Sequence, residues 1–128
     1  MPGVIVDTSV WVDFLRSGRG DGSAVVEDLV RTSQAKTCGM VLAELLAGVR
    51  NAADRTQLQE ALAGLDYVEM REQTWRRAGE LAADLRARGR TLPMSDLVVA
   101  ALAIEHGFAV LTTDNHFRHI PGVRLFSR

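Results

Sequence analysis

Four carboxylates in this sequence have surroundings that do not explain them as ordinary surface charges. Asp7 directly follows the β-branched run 4–6, and Asp114 follows a second apolar run and two threonines. Glu44 and Asp96 lie in apolar segments with helical spacing, and neither has a cation three or four residues away. Carboxylates that converge repel one another, so a hard divalent cation such as Mg²⁺ or Mn²⁺ is their natural partner. The usual work of such ions is phosphate chemistry.

Each of the four also has a routine explanation when it is taken alone. Asp7 would cap a helix, and Asp114 would form a turn. Glu44 would reach an edge of its helix, and Asp96 would interact with a helix dipole. Together, two carboxylates at strand ends and two on apolar helices favour one shared, poorly solvated site, because a parallel sheet gathers its strand ends at one edge. Zinc is less suitable, since no convincing ligand cluster forms among Cys38, His106, His116 and His119.

The elements that must position these residues alternate between strands and helices. Short β-branched or alternating runs predict strands at residues 4–6, 35–38, 67–70, 109–112 and 123–126. Helical spacing and capping residues predict helices at residues 10–16, 23–33, 41–48, 51–62, 74–88 and 96–106. We therefore expect an α/β fold, with a parallel sheet flanked by helices on both faces. The pattern shows no linker or repeat, so residues 1–128 are expected to form one domain.

Several local features of these elements are also predicted. Thr8 or Ser9 is expected to cap the first helix, and Ser95 the last, which is apolar almost throughout and should be central and buried. The glycine-rich residues 17–22 are expected to form a flexible loop. The helix at 74–88 is expected to bury one stripe, made of Trp75, Ala78, Leu81, Ala82 and Leu85.

Composition limits the class of protein. The 128 residues are 47% hydrophobic and 24% charged, which is typical of a globular domain. A net charge of −1 argues against a generally basic nucleic-acid binder, so a polyanion would need a local patch or a metal. The single cysteine, Cys38, excludes an internal disulfide framework and suits a reducing cytoplasm. No signal peptide or membrane-spanning run is expected.

Four motifs, taken in order, resemble a PIN domain, and more narrowly the VapC ribonuclease toxins of bacterial toxin–antitoxin pairs. Order, spacing and chain length all agree, and the resemblance covers essentially the whole chain. The motifs are Asp7-Thr8-Ser9, Glu44 followed by Leu45-Leu46-Ala47-Gly48, Asp96 within Ser95-Asp96-Leu97-Val98-Val99-Ala100, and Thr112-Thr113-Asp114 with Phe117 behind.

This resemblance implies a parallel sheet sandwiched by helices and a metal-dependent endoribonuclease with the catalytic quartet Asp7, Glu44, Asp96 and Asp114. Mg²⁺ or Mn²⁺ would be held by Asp7, Asp96 and Asp114, while Glu44 would orient the attacking water or take its proton. The implied partners are an RNA substrate, a small cognate antitoxin and a second copy of the chain in a cytoplasmic homodimer. The target among tRNA, rRNA and mRNA stays open.

Hydroxyl groups and arginines are expected to support this site. The hydroxyls of Thr8, Ser9 and Thr112 would hydrogen-bond the carboxylates or RNA. RNA would be gripped by some of the arginines Arg16, Arg19, Arg86, Arg88, Arg90 and Arg118, which could equally solvate the surface or contact the antitoxin.

His116 departs from the family pattern, since many relatives have an acidic residue at this position. A histidine cannot supply a second carboxylate oxygen, which leaves open whether one or two metals bind. An exposed loop histidine is favoured here, over a side chain that contacts phosphate or protonates a leaving oxygen.

Two other classes of function are possible. A phosphatase of the haloacid dehalogenase kind also begins with a strand and an aspartate. It would need a second aspartate where this chain has Ser9, and an essential lysine, whereas Lys36 is poorly placed. A non-catalytic binding module would keep the fold, but the intact quartet argues against it. Cleavage of RNA with Mn²⁺ and with EDTA, beside a phosphatase assay, would discriminate among the three.

Overall fold

The computed structural model describes residues 2–17 and 21–127. Across them, five strands form one sheet in the order β3-β2-β1-β4-β5, and every neighbouring pair is parallel. The fold is therefore the α/β parallel sheet that the sequence predicts. The strands are β1 (Val4–Val6), β2 (Ala35–Cys38), β3 (Asp66–Val68), β4 (Ala109–Leu111) and β5 (Arg124–Leu125).

The helices connect these strands, as parallel pairing requires. A short 3₁₀ helix, Asn115–His119, follows β4. The α-helices are α1 (Thr8–Ser17), α2 (Asp21–Arg31), α3 (Gly39–Gly48), α4 (Ala52–Ala63), α5 (Glu72–Ala87) and α6 (Met94–His106).

The core is built around β1 and α6. All three residues of β1 are almost fully buried, and successive side chains of a strand point to opposite faces, so both faces of the sheet are covered here. In α6, every residue of the run Leu97–Ala103 is at most 1% exposed. A continuous β-branched strand and an apolar helix are the patterns that predict such burial. Both predictions are confirmed.

Two predicted features of the helices are wrong. Ser95 does not cap α6. The backbone N–H groups of Asp96 and Leu97 both donate to the carbonyl of Pro93, so the helix starts at Met94, two residues earlier than a Ser95 cap allows. Trp75 is 48% exposed rather than part of a buried stripe. Thr74 faces inward in its place, accepting from the Arg71 N–H.

The remaining predicted boundaries agree with the structure to within two residues. One of the two-residue shifts is at α1, which begins at Thr8 and not at residue 10, so neither Thr8 nor Ser9 is the capping residue. Of the loop predicted at 17–22, residues 18–20 lie outside the described residues. The prediction is wrong for the other three, because Ser17 belongs to α1 and residues 21–22 to α2. No helix in the described part of the chain is long and apolar enough to cross a membrane.

Candidate active site

The candidate site lies at the carboxyl edge of the sheet, between β1 and β4. The strand order reverses at β1, with β2 and β3 on one side and β4 and β5 on the other. Open parallel sheets bind ligands in the crevice at such a reversal. Asp7 directly follows β1, and its N–H donates to the carbonyl of Leu111 at the end of β4 (2.9 Å). Asp114 follows β4 after two threonines, so the sheet brings the first and last of the four acidic motifs together.

Hydroxyl groups hold the Asp7 carboxylate, which is buried. Its Oδ2 accepts hydrogen bonds from Ser9 Oγ at 2.9 Å and from Thr112 Oγ1 at 2.8 Å. The same hydroxyls accept backbone N–H bonds from the segment after β4: Thr113 donates to Ser9, and Asp114 donates to Thr112. The predicted contact of these hydroxyls with a carboxylate is confirmed. Their bonds fix Asp7 against the loop that carries Asp114.

Asp96, Asp114 and His116 form the tightest cluster of the site. Each offers one ligand atom, and these atoms lie within 4.8 Å of one another. The Nδ1 atom of His116 is 2.8 Å from Asp96 Oδ2 and 3.0 Å from Asp114 Oδ1. Asp96 is in the first turn of α6, and Asp114 caps the 3₁₀ helix by accepting the His116 N–H. The routine roles of helix dipole and turn former are therefore present too, and they bring the two carboxylates to the cluster.

The electrostatics of this cluster follow from burial and charge. Burial raises the pKa of Asp96, and the charges of Asp114 and Asp7 raise it further, while the hydrogen bond from His116 opposes them. The pKa of His116 is raised mainly by its hydrogen bond to Asp96, with the charges of Asp114 and Asp96 adding to the effect. The cluster thus has excess negative charge in a partly desolvated setting, which attracts a cation.

The donor set fits a divalent metal. Two carboxylates supply the oxygen ligands that Mg²⁺ and Mn²⁺ prefer, and an imidazole nitrogen lies beside them. Asp7 is outside the group defined by the 4.8 Å distance, although its charge acts on Asp96. A role for Asp7 as a metal ligand stays a prediction.

Glu44 lies at the rim of the site, not in a poorly solvated cleft. Its residue is exposed, and its Oε1 accepts a hydrogen bond from Thr8 Oγ1 at 3.0 Å. Thr8 is adjacent in sequence to Asp7, so this bond ties α3 to the start of α1 next to the buried carboxylate. The structure therefore places Glu44 within reach of solvent water while fixing one of its two oxygens.

Cys38 is close enough to the site for its charges to act on the thiol, but it does not join the donor set. Burial raises the pKa of Cys38, and the charges of Asp7 and Glu44 raise it further. The thiol is therefore protonated at neutral pH, which makes it a poor ligand and a poor nucleophile.

The contacts of His116 are not the ones that the sequence predicts. The sequence favours an exposed loop residue, whereas the Nδ1 atom of the ring contacts two carboxylates of the site. The signal available was the spacing: a residue two positions after a capping aspartate donates its N–H to that aspartate and so lies at its side. Among the arginines suggested for RNA, Arg19 lies outside the described residues, and the others are exposed.

Comparison with known proteins decides the family. The PIN domain family model matches residues 4–123. This chain belongs to the PIN domain family. Two curated relatives of this PIN domain are ribonuclease VapC5 of Mycobacterium tuberculosis, 30% identical over 92% of this chain and 87% of the relative, and VapC ribonuclease Mb1587 of Mycobacterium bovis, 27% identical over 89% and 88%.

Solved structures agree with the fold of this PIN domain. The chain superposes on a chain of the VapBC2 complex of Rickettsia felis, bound to a DNA fragment from its promoter, with a TM-score of 0.85. That match has 23% sequence identity and covers 96% of each chain. At this identity it supports the parallel-sheet architecture alone.

Proposed function

We propose that this PIN domain protein is a metal-dependent endoribonuclease and the toxin of a toxin–antitoxin pair. The observation that carries the proposal is the convergence of Asp96, Asp114 and His116 beside the hydroxyl-held Asp7, at the strand-order reversal of the sheet. The names of the curated VapC ribonucleases supply the substrate class, RNA. In this proposal Asp7, Glu44, Asp96 and Asp114 are the catalytic residues.

Asp96 and Asp114, with Asp7, would hold Mg²⁺ or Mn²⁺. When bound, such an ion supplies positive charge for a phosphate group and acidifies water. Glu44 uses Oε1 to accept the bond from Thr8, and among the described residues its second oxygen is left to orient a water molecule or take its proton. Ser9 and Thr112 keep the Asp7 carboxylate in one orientation. Attack by water and not by the ribose 2′-hydroxyl leaves a 5′-phosphate and a 3′-hydroxyl.

The phosphatase alternative is weakened by where its residues lie. Ser9 stands where a second aspartate would be needed, and it donates to Asp7 instead of acting as an acid. The ammonium of Lys36 pairs with Asp66 on β3 at 2.6 Å, and Lys36 aligns with Ile5, two residues before Asp7 on β1. The ammonium group of Lys36 is therefore paired with a carboxylate outside the site.

The proposed partners are a small antitoxin and a second copy of the chain, in the cytoplasm. A groove of about 360 Å³ offers such a partner both apolar and charged side chains. Its walls include Val12, Leu15, Arg16, Leu45, Val49 and Asp54. Leu45 directly follows Glu44, so a partner seated there would lie beside the rim of the site. We treat residues 1–128 as one PIN domain.

The test is cleavage of total RNA with Mn²⁺ and with excess EDTA, followed by analysis of the product ends. Wild type should cut only with the metal, and Asp7→Asn should lose activity by orders of magnitude while its thermal transition stays cooperative. Asp84→Asn, which changes an exposed carboxylate of α5, is the matched control and should cut normally. Equal cleavage in EDTA, or products that end in 2′,3′-cyclic phosphate, would reject the proposed chemistry.

A further inference from the structure

His116 differs from the other members of the site because it brings nitrogen into an oxygen donor set. Its Nδ1 lies 2.8 Å from Asp96 Oδ2 and 3.0 Å from Asp114 Oδ1, so the ring atom points between the two carboxylates. The side chain is 44% exposed. Its Nδ1 is therefore placed where a metal ligand of this cluster has to be, and where a protonated ring would also be attracted by the two carboxylates.

The backbone holds His116 beside these carboxylates. The His116 N–H donates to Asp114 Oδ1 at 2.9 Å, which anchors the residue in the first turn of the 3₁₀ helix. The next residue, Phe117, is 1% exposed and packs in the core, so the turn cannot rotate without losing a buried aromatic ring. The fold therefore sets where the His116 side chain begins, and the two contacts of Nδ1 set the orientation of its ring.

We infer that His116 Nδ1 is a ligand of the metal centre, and that the site consequently prefers first-row transition ions such as Mn²⁺ over Mg²⁺. The inference rests on the proposed function, because it assumes that this cluster holds a metal. Mg²⁺ is a hard ion that selects oxygen ligands, whereas imidazole nitrogen is accepted more readily by the transition ions. An acidic residue at this position would remove the bias, since all ligands would then be oxygens.

A second possibility gives the same hydrogen bonds and the opposite result. A protonated His116 would act as an internal countercharge that occupies the place of a metal ion. Its removal would then strengthen the binding of every divalent ion. If His116 is instead a metal ligand, its removal would weaken metal binding, and the loss of affinity would be larger for Mn²⁺ than for Mg²⁺. The sign of the change in affinity therefore separates the two roles.

The experiment uses the full chain without RNA, at about pH 8 and again one pH unit higher, because the pKa of His116 is raised above that of an ordinary imidazole. Mn²⁺ binding is followed by the loss of the free-ion EPR signal, and Mg²⁺ affinity by competition. Pulsed EPR of the Mn²⁺-loaded protein reports directly on a coordinated ¹⁴N nucleus. His116→Asn removes the nitrogen ligand, His116→Asp replaces it with oxygen, and His119→Asn is the matched control, an exposed histidine of the same 3₁₀ helix.

We expect ¹⁴N coupling in wild type and in His119→Asn, and none in His116→Asn. Mn²⁺ affinity should fall roughly tenfold in His116→Asn, with a smaller loss for Mg²⁺. His116→Asp should reduce the ratio of Mn²⁺ to Mg²⁺ affinity.

Coupling that is absent from wild type or persists in His116→Asn overturns the inference, as does tighter binding of both ions by His116→Asn. If Mn²⁺ binds without nitrogen coupling, only the inference fails. If no Mn²⁺ binds at millimolar concentration, the proposed metal-dependent function fails with it.

Discussion

Asp96→Asn should stabilise the metal-free protein, although it removes a charge from a helix start where a negative charge is favourable. The ligand oxygens of Asp96 and Asp114 lie within 4.8 Å, which corresponds to a repulsion of about 3.5 kcal/mol at an effective dielectric near 20. Solvent at the partly exposed Asp114 and local relaxation reduce this to about 1.5 kcal/mol. Loss of the interaction with the α6 dipole costs about 0.5 kcal/mol, so the net gain is about 1 kcal/mol.

The size of this gain depends on pH, because His116 Nδ1 contacts both carboxylates. Because the pKa of Asp96 is raised, this carboxyl group binds a proton more readily in the folded protein than in the unfolded chain. The free energy of unfolding therefore decreases as pH rises and Asp96 ionises, so the charged group is destabilising at neutral pH. Once the pH has risen through the raised pKa of His116, the imidazole is neutral, and removal of the Asp96 charge relieves repulsion alone. Near pH 6 His116 is protonated, and Asp96→Asn also removes its ion-pair partner. The gain should therefore be largest in base and shrink toward pH 6.

The assay is thermal unfolding at constant ionic strength. The expected gain in EDTA near pH 9 is about 4 °C in Tm for a domain of this size. Asp54→Asn is the matched control, since Asp54 is also the third residue of its helix but is not part of the acidic quartet. It should lose a few tenths of a kcal/mol, about the value of the dipole alone.

Addition of Mn²⁺ should reverse the order of the two proteins. At a concentration one hundred times the dissociation constant, wild type gains about 2.7 kcal/mol, and Asp96→Asn should gain much less. If Asp96→Asn were less stable in EDTA and responded to Mn²⁺ as wild type does, Asp96 would be a structural residue of the α6 start. The metal centre would then have to be assigned without it.

Four further outcomes are expected. Thr112→Val, which removes a bond to Asp7, should lower kcat for RNA roughly ten- to a hundredfold with KM little changed, and an unaltered kcat would remove Thr112 from any positioning role. Because the pKa of His116 is raised, the stability that this residue adds to the metal-free protein is present below pH about 6.5 and is lost as pH rises through the raised pKa. The Tm of wild type should therefore fall over this pH range more than the Tm of His116→Gln. Parallel curves of Tm against pH would contradict this. Leu102→Ala, in the fully buried part of α6, should cost about 2–5 kcal/mol in chemical denaturation, and a cost below 1 would mean that the α6 core is loosely packed. Light scattering at high micromolar concentration should give the mass of a homodimer, and a monomer would reject that proposal.

The architecture was predictable because its determinants are local. The run 4–6 has three β-branched residues, and 97–103 is apolar at every position, so each pattern specifies burial on all sides. The alternation of strands and helices then leaves few arrangements of the sheet. Trp75 could not be placed in this way, because a threonine that bonds both its own helix start and Glu105 took the inward position.

The site was predictable as a set of residues but not as a set of contacts. Strand ends place Asp7 and Asp114 at the same edge from pattern alone. The bond from Thr8 to Glu44 spans 36 positions, and the contact of His116 with Asp96 spans 20. Helical and strand periodicities do not relate residues that are so far apart in sequence. The exposure of Glu44 depends on how α3 packs against α1.

The central position of β1 has a consequence for synthesis of the protein. Val4 pairs with Ala35 on one side and with Ala109 on the other, so β1 is synthesised about a hundred residues before one of its two neighbours. Asp114 and His116 follow still later in the chain. A nascent polypeptide that ends between residues 44 and 114 carries Asp7 and Glu44 but no complete cluster. A finished site therefore cannot form before β4 and the 3₁₀ helix have been synthesised.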